Sequence, residues 1–260
     1  MYEKHFVVKE KTMNTKISAY ILEKLCQTFD LPRYDGIRDK FSQDTDLDTL
    51  PWTPVRRQKF VQELSDEFDF AVDITGTVRD VVERTDQRYM TRFFGEVWRP
   101  RTEEYTYSGW SLVDKINSAN PRRVLDYGCG YNQFKGRIPN LIGIDPYNNC
   151  ADYMVDILEF ARVESENFDH IIAFGSLNFN SREDIEARFQ CLVSLLMPGG
   201  RMYFRVNPGI PHANGPWVDI FPWSFEIAYE LATQSGLEMP VFKRDFNDRL
   251  YFEYVKPELT

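Results

Sequence analysis

Short apolar runs alternate with amphipathic stretches through the second half of the chain, which is typical of an α/β fold built on a parallel sheet. The runs that predict buried strands lie at residues 124–127, 141–144, 168–174 and 201–206. Two further runs, around residues 241–243 and 250–255, predict a closing antiparallel hairpin. The amphipathic stretches between the runs predict helices that cover the sheet.

The N-terminal part shows helical periodicity instead. Apolar positions recur at helical spacing in residues 15–30, and again after Thr53 and Pro54, which suit an N-cap and a first helical position. A third, short helix is predicted from about Thr77 to Arg84. We therefore expect a flexible N-terminus at 1–14, a helical bundle at 15–90, an aromatic linker at 91–123 and the α/β domain at 124–260.

The turn between the first two predicted strands carries the candidate chemistry. Asp126 and Tyr127 end the first strand, Gly128-Cys129-Gly130 follow it, and Asp145 ends the second strand. Glycines allow a sharp turn and a close approach of the backbone to a ligand. Asp145 follows Asp126 at close to the roughly 20-residue interval expected for an acid that binds ribose hydroxyls. This spacing predicts a nucleoside-binding βαβ unit, with a short helix after the glycines.

Two features favour a cationic nucleoside over a dinucleotide. A dinucleotide site needs G-x-G-x-x-G and a helix N-terminus that holds the pyrophosphate. The third glycine is missing here, and we expect Asn132 and Phe134 to crowd a pyrophosphate. Asp126 would repel phosphate but suits a ligand with a positive charge. S-adenosylmethionine has a sulfonium, an α-ammonium and no phosphate, so it fits better than NAD, and an NAD-type oxidoreductase is disfavoured.

Residues 105–256 resemble the class I S-adenosylmethionine-dependent methyltransferases. The motifs that carry the resemblance are Asp126-x-Gly128-x-Gly130, Asp145, the segments 152–157 and 168–178, and the turn Pro198-Gly199-Gly200. The resemblance implies an α/β fold with a Rossmann-like, doubly wound sheet of seven strands, the third of them within 152–157. The chain departs from the family at Asn132, where many members have a small residue, and we interpret this as a variant of the site.

The resemblance also implies the residues of a cofactor site. The expected cofactor-binding residues are Asp126, Gly128, Gly130, Asp145, Pro146, Asp156, Ile157, Gly175 and Ser176. In the Gly- and Pro-rich loop at 207–221, His212 is the candidate general base, and Asn178 is a candidate for orienting the nucleophile. The candidates for covering the cofactor or binding the substrate are Tyr105, Tyr107, Trp110 and Trp217.

Residues 15–86 resemble an acyl carrier protein. Leu47-Asp48-Thr49-Leu50 matches the loop before the second carrier helix, and the run from Phe60 to Phe68 matches that helix. Carriers have a serine at the start of the helix, to which phosphopantetheine is attached, whereas this chain has Pro54. Two interpretations stay open: a docking module for a protein partner that has lost its cargo, or a small helical bundle that packs on the catalytic domain.

Composition narrows the remaining classes. The net charge of −9 disfavours nonspecific binding to nucleic acid, which depends on Lys and Arg contacts with phosphates. The four cysteines show no metal-binding spacing, so we expect neither a metal site nor a disulfide framework. No apolar run approaches the ~20 residues of a membrane helix, and the N-terminus lacks the pattern of a signal peptide. We expect a cytoplasmic protein.

These features together predict an S-adenosylmethionine-dependent methyltransferase that acts on a small molecule or a glycan rather than a protein. Methyl transfer is an in-line displacement, so alignment of the reactants matters more than a fixed catalytic triad. Methylation of adenine in DNA is disfavoured, because Ser176-Leu177-Asn178-Phe179 replaces the Asp/Asn-Pro-Pro-aromatic motif of that class. The alternative is a non-catalytic interaction protein that reuses both folds for binding.

Overall fold

The structure, a computed structural model, describes residues 13–30, 41–99, 109–213 and 215–258. The chain divides into two compact units, Met1–Thr85 and Asp86–Thr260. The sequence pattern predicts a boundary near residue 90, within the third helix of the structure.

The first unit is built from helices that begin where their capping residues predict. Helix α1, Thr15–Thr28, starts after Asn14, whose side chain accepts hydrogen bonds from two backbone amides of the first turn. Helix α2, Pro54–Phe68, starts after the N-cap Thr53, with proline at its first position. Helix α3, Val78–Arg92, is longer than the short helix predicted up to Arg84, because no glycine or proline interrupts the chain before Gly95.

The helices of the first unit share an apolar core. The fully buried side chains of this core are Ile17, Ile21, Leu25, Leu47, Phe60, Leu64, Val78, Val81 and Val82. Pro54 occupies the first turn of α2, as the sequence predicts, so no hydroxyl is present at that position. The resemblance to an acyl carrier protein stays a prediction.

The second unit contains a mixed sheet of six strands, which confirms the predicted α/β fold. The strands are β1 Val124–Tyr127, β2 Leu141–Ile144, β3 Phe168–Phe174, β4 Leu196–Val206, β5 Glu238–Arg244 and β6 Leu250–Val255. Their order is β2-β1-β3-β4-β6-β5. Strands β1 to β4 are parallel, and β6 runs antiparallel to both β4 and β5, which gives the predicted terminal hairpin.

Helices cover both faces of the sheet. Helix α4, Trp110–Ser118, packs on one face, where Leu112 and Ile116 join a cluster with Ile172 and Tyr203 of the strands. Three helices supply the apolar cluster on the other face: α5 Ile157–Val163, α6 Arg182–Leu195 and α7 Phe225–Gln234. Successive side chains of one strand therefore point to opposite faces of the sheet and join two separate apolar clusters.

The predicted seventh strand is not confirmed. In the segment 152–157, where the family resemblance implies strand three, the structure has a single bridge between Tyr153 and Ile144. The Asp152 side chain accepts a hydrogen bond from the Gly143 N–H at 2.8 Å, and that N–H is then not available to a strand ladder. Tyr153 and Met154 are 52% and 62% exposed, so their side chains do not hold this part of the segment on the sheet.

The short helix predicted between β1 and β2 is also absent. Residues 129–140 form a series of turns instead. Gly130, Asn132 and Gly136 have φ angles of 53°, 52° and 77°, in the left-handed region. A right-handed helix cannot continue through residues with this conformation.

No helix of the described residues is long and apolar enough to cross a membrane. Within the same ranges, no group of His, Cys, Asp or Glu side chains could hold a metal ion.

We expect Phe189→Ala to destabilise the second unit by about 3–5 kcal/mol, because the ring is fully buried and its loss leaves a cavity. Phe189 lies between α6 and the sheet, with its ring centroid 5.4 Å from that of Tyr254 and 5.9 Å from that of Phe204. Val163→Ala at the exposed end of α5 is the control and should change stability by less than about 0.5 kcal/mol. Urea unfolding followed by tryptophan fluorescence compares the two variants, and equal midpoints would contradict the core assignment.

Candidate functional site

A cavity lies at the carboxyl ends of the parallel strands. The chain leaves β1 toward β2 on one side, and β3 lies on the other side, so the strand order reverses next to β1. Ligands of open α/β sheets bind at such a switch point. The walls come from residues within 90–98, 127–130, 145–148, 174–180 and 205–220, and from Gly109, Asp156, Arg188 and Arg249.

The glycine turn after β1 forms the floor of this cavity. Gly128 has a φ of +67°, and a Cβ placed there would lie 2.1 Å from the Cβ of Ser176 in the loop after β3. Only glycine allows the two loops to approach so closely. Gly130, with a φ of +53°, would bring a Cβ to 3.2 Å from the Trp98 ring. Both glycines line the cavity, as the sequence predicts.

Asn132 occupies the position at which the family resemblance implies a third small residue. Its left-handed φ of 52° is one that Asn adopts more readily than other residues with a side chain. The Nδ2 atom donates a hydrogen bond to the Cys150 carbonyl, and the Oδ1 atom lies over Gly143, where a Cβ would come within 2.6 Å. Neither Asn132 nor Phe134 lines the cavity, so the expected crowding of a pyrophosphate is not supported by the structure.

A different feature speaks against a dinucleotide. Residues 129–140 form turns, so the glycine loop does not lead into a helix N-terminus. The dinucleotide site depends on that N-terminus, whose amides and dipole hold the pyrophosphate. Two carboxyl groups flank the loop instead, Asp126 in β1 and Asp145 directly after β2.

Asp145 lines the cavity and organises two loops. Its Oδ2 atom accepts a hydrogen bond from the Gly130 N–H at 3.0 Å, and its Oδ1 atom accepts from Tyr147 and Asn148 at 2.8 and 2.9 Å. Burial raises the pKa of Asp145, and the three amide donors oppose that rise. Each carboxylate oxygen can accept further hydrogen bonds, so ribose hydroxyls could be bound here. Pro146 lines the cavity next to Asp145.

Asp126 lies beneath the glycine turn and is only 3% exposed. Burial, with the nearby Asp145 carboxylate, raises the pKa of Asp126 to about 8. The carboxyl group is therefore largely protonated at neutral pH. It does not itself line the cavity.

The third predicted acid, Asp156, lines the cavity and pairs with an arginine. Its Oδ1 atom caps helix α5 by accepting from the Leu158 N–H, and its Oδ2 atom lies 3.4 Å from two guanidinium nitrogens of Arg188. Arg188 also pairs with Asp184. Ile157, predicted to touch the adenine, is fully buried in the core and does not line the cavity.

The loops after β3 and β4 are joined by Asn178. Its Nδ2 atom donates to the Gly175 carbonyl at 3.0 Å, and its Oδ1 atom accepts from the Asn207 N–H at 2.8 Å. Asn178 lines the cavity, but both ends of its amide already hold the protein together. Gly175 and Ser176 line the cavity as predicted. The Ser176 Oγ atom is buried and has no hydrogen-bond partner among the described residues.

An aromatic wall faces the polar floor, and we define it as Phe93, Phe94, Trp98, Tyr147 and Phe179. Phe93 and Phe94 begin a π-helical turn, Phe93–Val97, a form often found at functional sites. The Phe94 ring packs against those of Phe179 and Tyr147, with centroids 5.1 and 5.6 Å away. His212 lines the cavity beside Phe93, at 4.9 Å between ring centroids.

The described residues that were predicted to cover the cofactor or bind the substrate do not line the cavity. Trp110 packs against Phe134 and under the Arg137 guanidinium on the α4 face of the sheet, and it does not line the cavity. Trp217 does not line it either. Tyr105 and Tyr107 lie outside the described residues.

Sequence reasoning missed several cavity residues that no motif marks. Tyr147 follows Asp145 by two residues, and Phe179 ends the segment after β3, so both could have been found from their neighbours. Arg188, Arg205 and Arg249 come from separate elements and meet at the cavity only through the tertiary fold.

No family model matches the chain, and no curated protein matches it. Among solved structures, the N-methyltransferase NodS from Bradyrhizobium japonicum WM9 is 17% identical, with a TM-score of 0.45, over 57% of this chain and 94% of that chain. Magnesium protoporphyrin IX methyltransferase (ChlM) from Synechocystis PCC 6803, solved with bound S-adenosylhomocysteine, is 15% identical, with a TM-score of 0.46, over 69% and 98%. CalS10, an amino pentose methyltransferase from Micromonospora echinaspora solved with S-adenosylmethionine, is 16% identical, with a TM-score of 0.46, over 66% and 95%.

Gly128→Ala should abolish the binding of a ligand on the cavity floor. It should also lower the stability of the second unit more than Gly136→Ala does. Both glycines have left-handed φ angles, so alanine costs about 1–2 kcal/mol of backbone strain at either position. Only Gly128 adds a clash with Ser176, whereas a Cβ at Gly136 would meet nothing within 4 Å. Urea unfolding of both variants measures the difference, and equal losses would show that the approach of the two loops is not limiting.

Asp126→Asn should gain stability relative to the wild type as the pH rises from 5 to 9. The folded-state pKa of Asp126 is about 8, well above its unfolded value, so the folded protein holds a proton that the unfolded chain releases. Wild-type stability therefore falls with rising pH in this window, by up to about 1.4 kcal/mol per pH unit, and Asn removes that contribution. Denaturant unfolding at pH 5, 7 and 9 tests this. Parallel curves for the two proteins would mean that Asp126 titrates normally.

Proposed function

We propose that this chain is an S-adenosylmethionine-dependent methyltransferase whose acceptor is a small molecule or a glycan. The observation that carries the proposal is the glycine floor of the cavity. There a left-handed Gly128 closes on Ser176, two carboxyl groups stand beside the loop, and no helix N-terminus follows. This arrangement favours a nucleoside with a positive charge and no phosphate.

The charge of the floor supports this cofactor. Asp126 and Asp145 lie close enough that the Asp145 charge helps to raise the pKa of Asp126. A bound cation relieves that repulsion, whereas a phosphate adds to it. The cofactor would supply a methyl group on a sulfonium, which already carries a good leaving group.

The chain's own residues would bind and orient. Asp145 would accept hydrogen bonds from the ribose hydroxyls, and Asp156, held by Arg188, would face the base. Gly128, Gly130 and Gly175 leave room for the amino-acid part, and the unsatisfied Ser176 Oγ atom is available to it. Ile157 would contribute indirectly, because its buried side chain fixes the first turn of α5.

The acceptor would lie against the aromatic wall. Phe93 and Phe179, with Val218 and Ile220, make this side of the cavity apolar and able to exclude water. His212 is the side chain we assign to remove a proton from an acceptor hydroxyl or amine. Asn178, whose amide is committed to Gly175 and Asn207, would position the loop rather than the nucleophile.

We also propose that residues 15–86 form a separate module that can dock a protein partner. The N-terminal unit has its own buried core, and Pro54 leaves no hydroxyl for a prosthetic arm at the start of α2. Docking without cargo is the role we propose for it, and a small helical bundle that packs on the catalytic domain is the alternative.

Calorimetric titration tests the cofactor assignment directly. We expect S-adenosylmethionine and S-adenosylhomocysteine to bind the purified chain at micromolar levels, and Asp145→Asn to weaken both by about tenfold or more, since a charged acceptor of hydrogen bonds is lost.

Asp152→Asn is the matched control. Asp152 also accepts a hydrogen bond from a backbone amide, at Gly143, but it does not line the cavity. The control should therefore bind both nucleosides like the wild type. If neither nucleoside bound to the wild type, a non-catalytic interaction protein would be the better interpretation.

A further inference from the structure

Two arginines line the cavity at the end opposite Asp145. Arg205 lies in β4, and Arg249 immediately precedes β6. The strand order β2-β1-β3-β4-β6 places four strand steps between the tip of β2 and the start of β6. At about 4.8 Å a step, the two ends of the cavity are roughly 19 Å apart across the sheet. We call Arg205 and Arg249 the arginine corner.

Strand register places a further positive charge beside this corner. Arg205 pairs with Phe174 of β3 on one side and with Tyr251 of β6 on the other, and directly paired residues share a face of the sheet. Lys243 of β5 pairs with Tyr251, and its Nζ atom lies 4.9 Å from the centroid of that ring. The same face of β3, β4, β6 and β5 therefore carries Phe174, Arg205, Tyr251 and Lys243.

Two carboxylates lie beside these cations, and the first is Asp245. Asp245 accepts a hydrogen bond from the Arg205 Nε atom at 2.8 Å, and the two side chains are only 7% and 12% exposed. This contact fixes the direction of the guanidinium group. The second is Glu253, which accepts a hydrogen bond from the Tyr251 hydroxyl at 2.7 Å. In a chain whose net charge is −9, two guanidinium groups and an ammonium therefore lie near Asp245 and Glu253 at this end of the sheet.

The opposite end of the cavity has the reverse balance. Asp145 and Asp156 line it, Asp156 pairs with Arg188, and Arg188 also pairs with a third carboxylate, Asp184. A ligand that fills both ends must therefore be cationic or neutral over β1 and β2 and can be anionic over β4 and β6.

We propose that the arginine corner binds an anionic group, a carboxylate or a phosphate, on the methyl acceptor. This inference rests on the proposed function, which assigns the Asp145 end to the cofactor and leaves the β4–β6 end to the acceptor. A guanidinium group offers a planar set of donors that matches either anion. Phe174 and the aromatic wall would contact the apolar body of the same molecule.

Titration of simple anions into the protein saturated with S-adenosylhomocysteine tests this. The probes are benzoate, phenyl phosphate and the neutral benzamide, so that the first two distinguish a carboxylate from a phosphate. We expect at least one anion to bind about tenfold tighter than benzamide, because hydrogen bonds to a charged partner are the stronger ones.

Arg249→Met should remove the advantage of the anion, and Arg249→Lys should keep part of it. Arg244→Met is the matched control, because Arg244 ends β5 in the same hairpin but is largely exposed and does not line the cavity. Thermal unfolding of each variant separates a loss of binding from a loss of fold, and the lysine variant keeps the test usable if methionine unfolds the chain.

The outcomes separate this inference from the proposed function. Equal binding of benzamide and the anions, while S-adenosylhomocysteine binds, would overturn the arginine corner alone. The arginine corner would also be overturned if Arg249→Met weakened the binding of S-adenosylhomocysteine but left the binding of 5′-methylthioadenosine and of the anions unchanged. 5′-Methylthioadenosine has no carboxylate, so this result would mean that the corner holds the carboxylate of the cofactor. Anion binding that depends on Arg249 without any binding of S-adenosylhomocysteine would keep the corner and sink the methyltransferase proposal. Absence of binding by every probe would sink both.

Discussion

The Asp145 carboxylate is the interaction on which the rest of the site depends. Its two oxygens hold the amides of Gly130, Tyr147 and Asn148, so the loops after β1 and β2 share one anchor. The anchor adds to the hydrogen bonds that the Gly128 and Cys129 amides donate to the Ile144 carbonyl, and together these contacts hold the turn beside Ser176. A buried carboxylate that accepts several amide hydrogen bonds is a strong local constraint, because its removal leaves several donors unsatisfied at once. The same group is then in place to receive a ligand.

The cavity is divided by charge as well as by shape. Carboxyl groups lie around the glycine floor, while the guanidinium groups of Arg205 and Arg249 lie where β4 ends and β6 begins. The aromatic wall makes one side of the cavity apolar, and electrostatic interactions gain strength beside an apolar surface that excludes water. Burial also leaves Asp126 protonated at neutral pH, so the floor carries less negative charge when empty than the sequence implies. Binding a cation would then involve loss of that proton.

Much of the fold follows from the sequence, because apolar runs mark strands that are buried on both faces. The strands near Val124, Leu141 and Phe168 were predictable for that reason. The segment at 152–157 was not, because a side-chain bond from Asp152 to the Gly143 amide competes with strand pairing. Within the site, the glycine turn and Asp145 were predictable from spacing, since they are local in the chain. Trp110 was predicted to cover the site but turns toward Phe134, and the arginine corner depends on the register of β4 with β6. Neither can be read from neighbouring residues.

Every described residue other than glycine that has a left-handed backbone is Asn or Asp. At Asn132 this means that the chain keeps a left-handed φ of the kind glycine adopts readily, and the side chain lies above Gly143, which has no Cβ of its own. The bend of the chain and the residue that makes it are thus separable properties. Two proteins can therefore have the same backbone conformation in this turn and still differ in sequence at the glycine positions by which such turns are usually recognised.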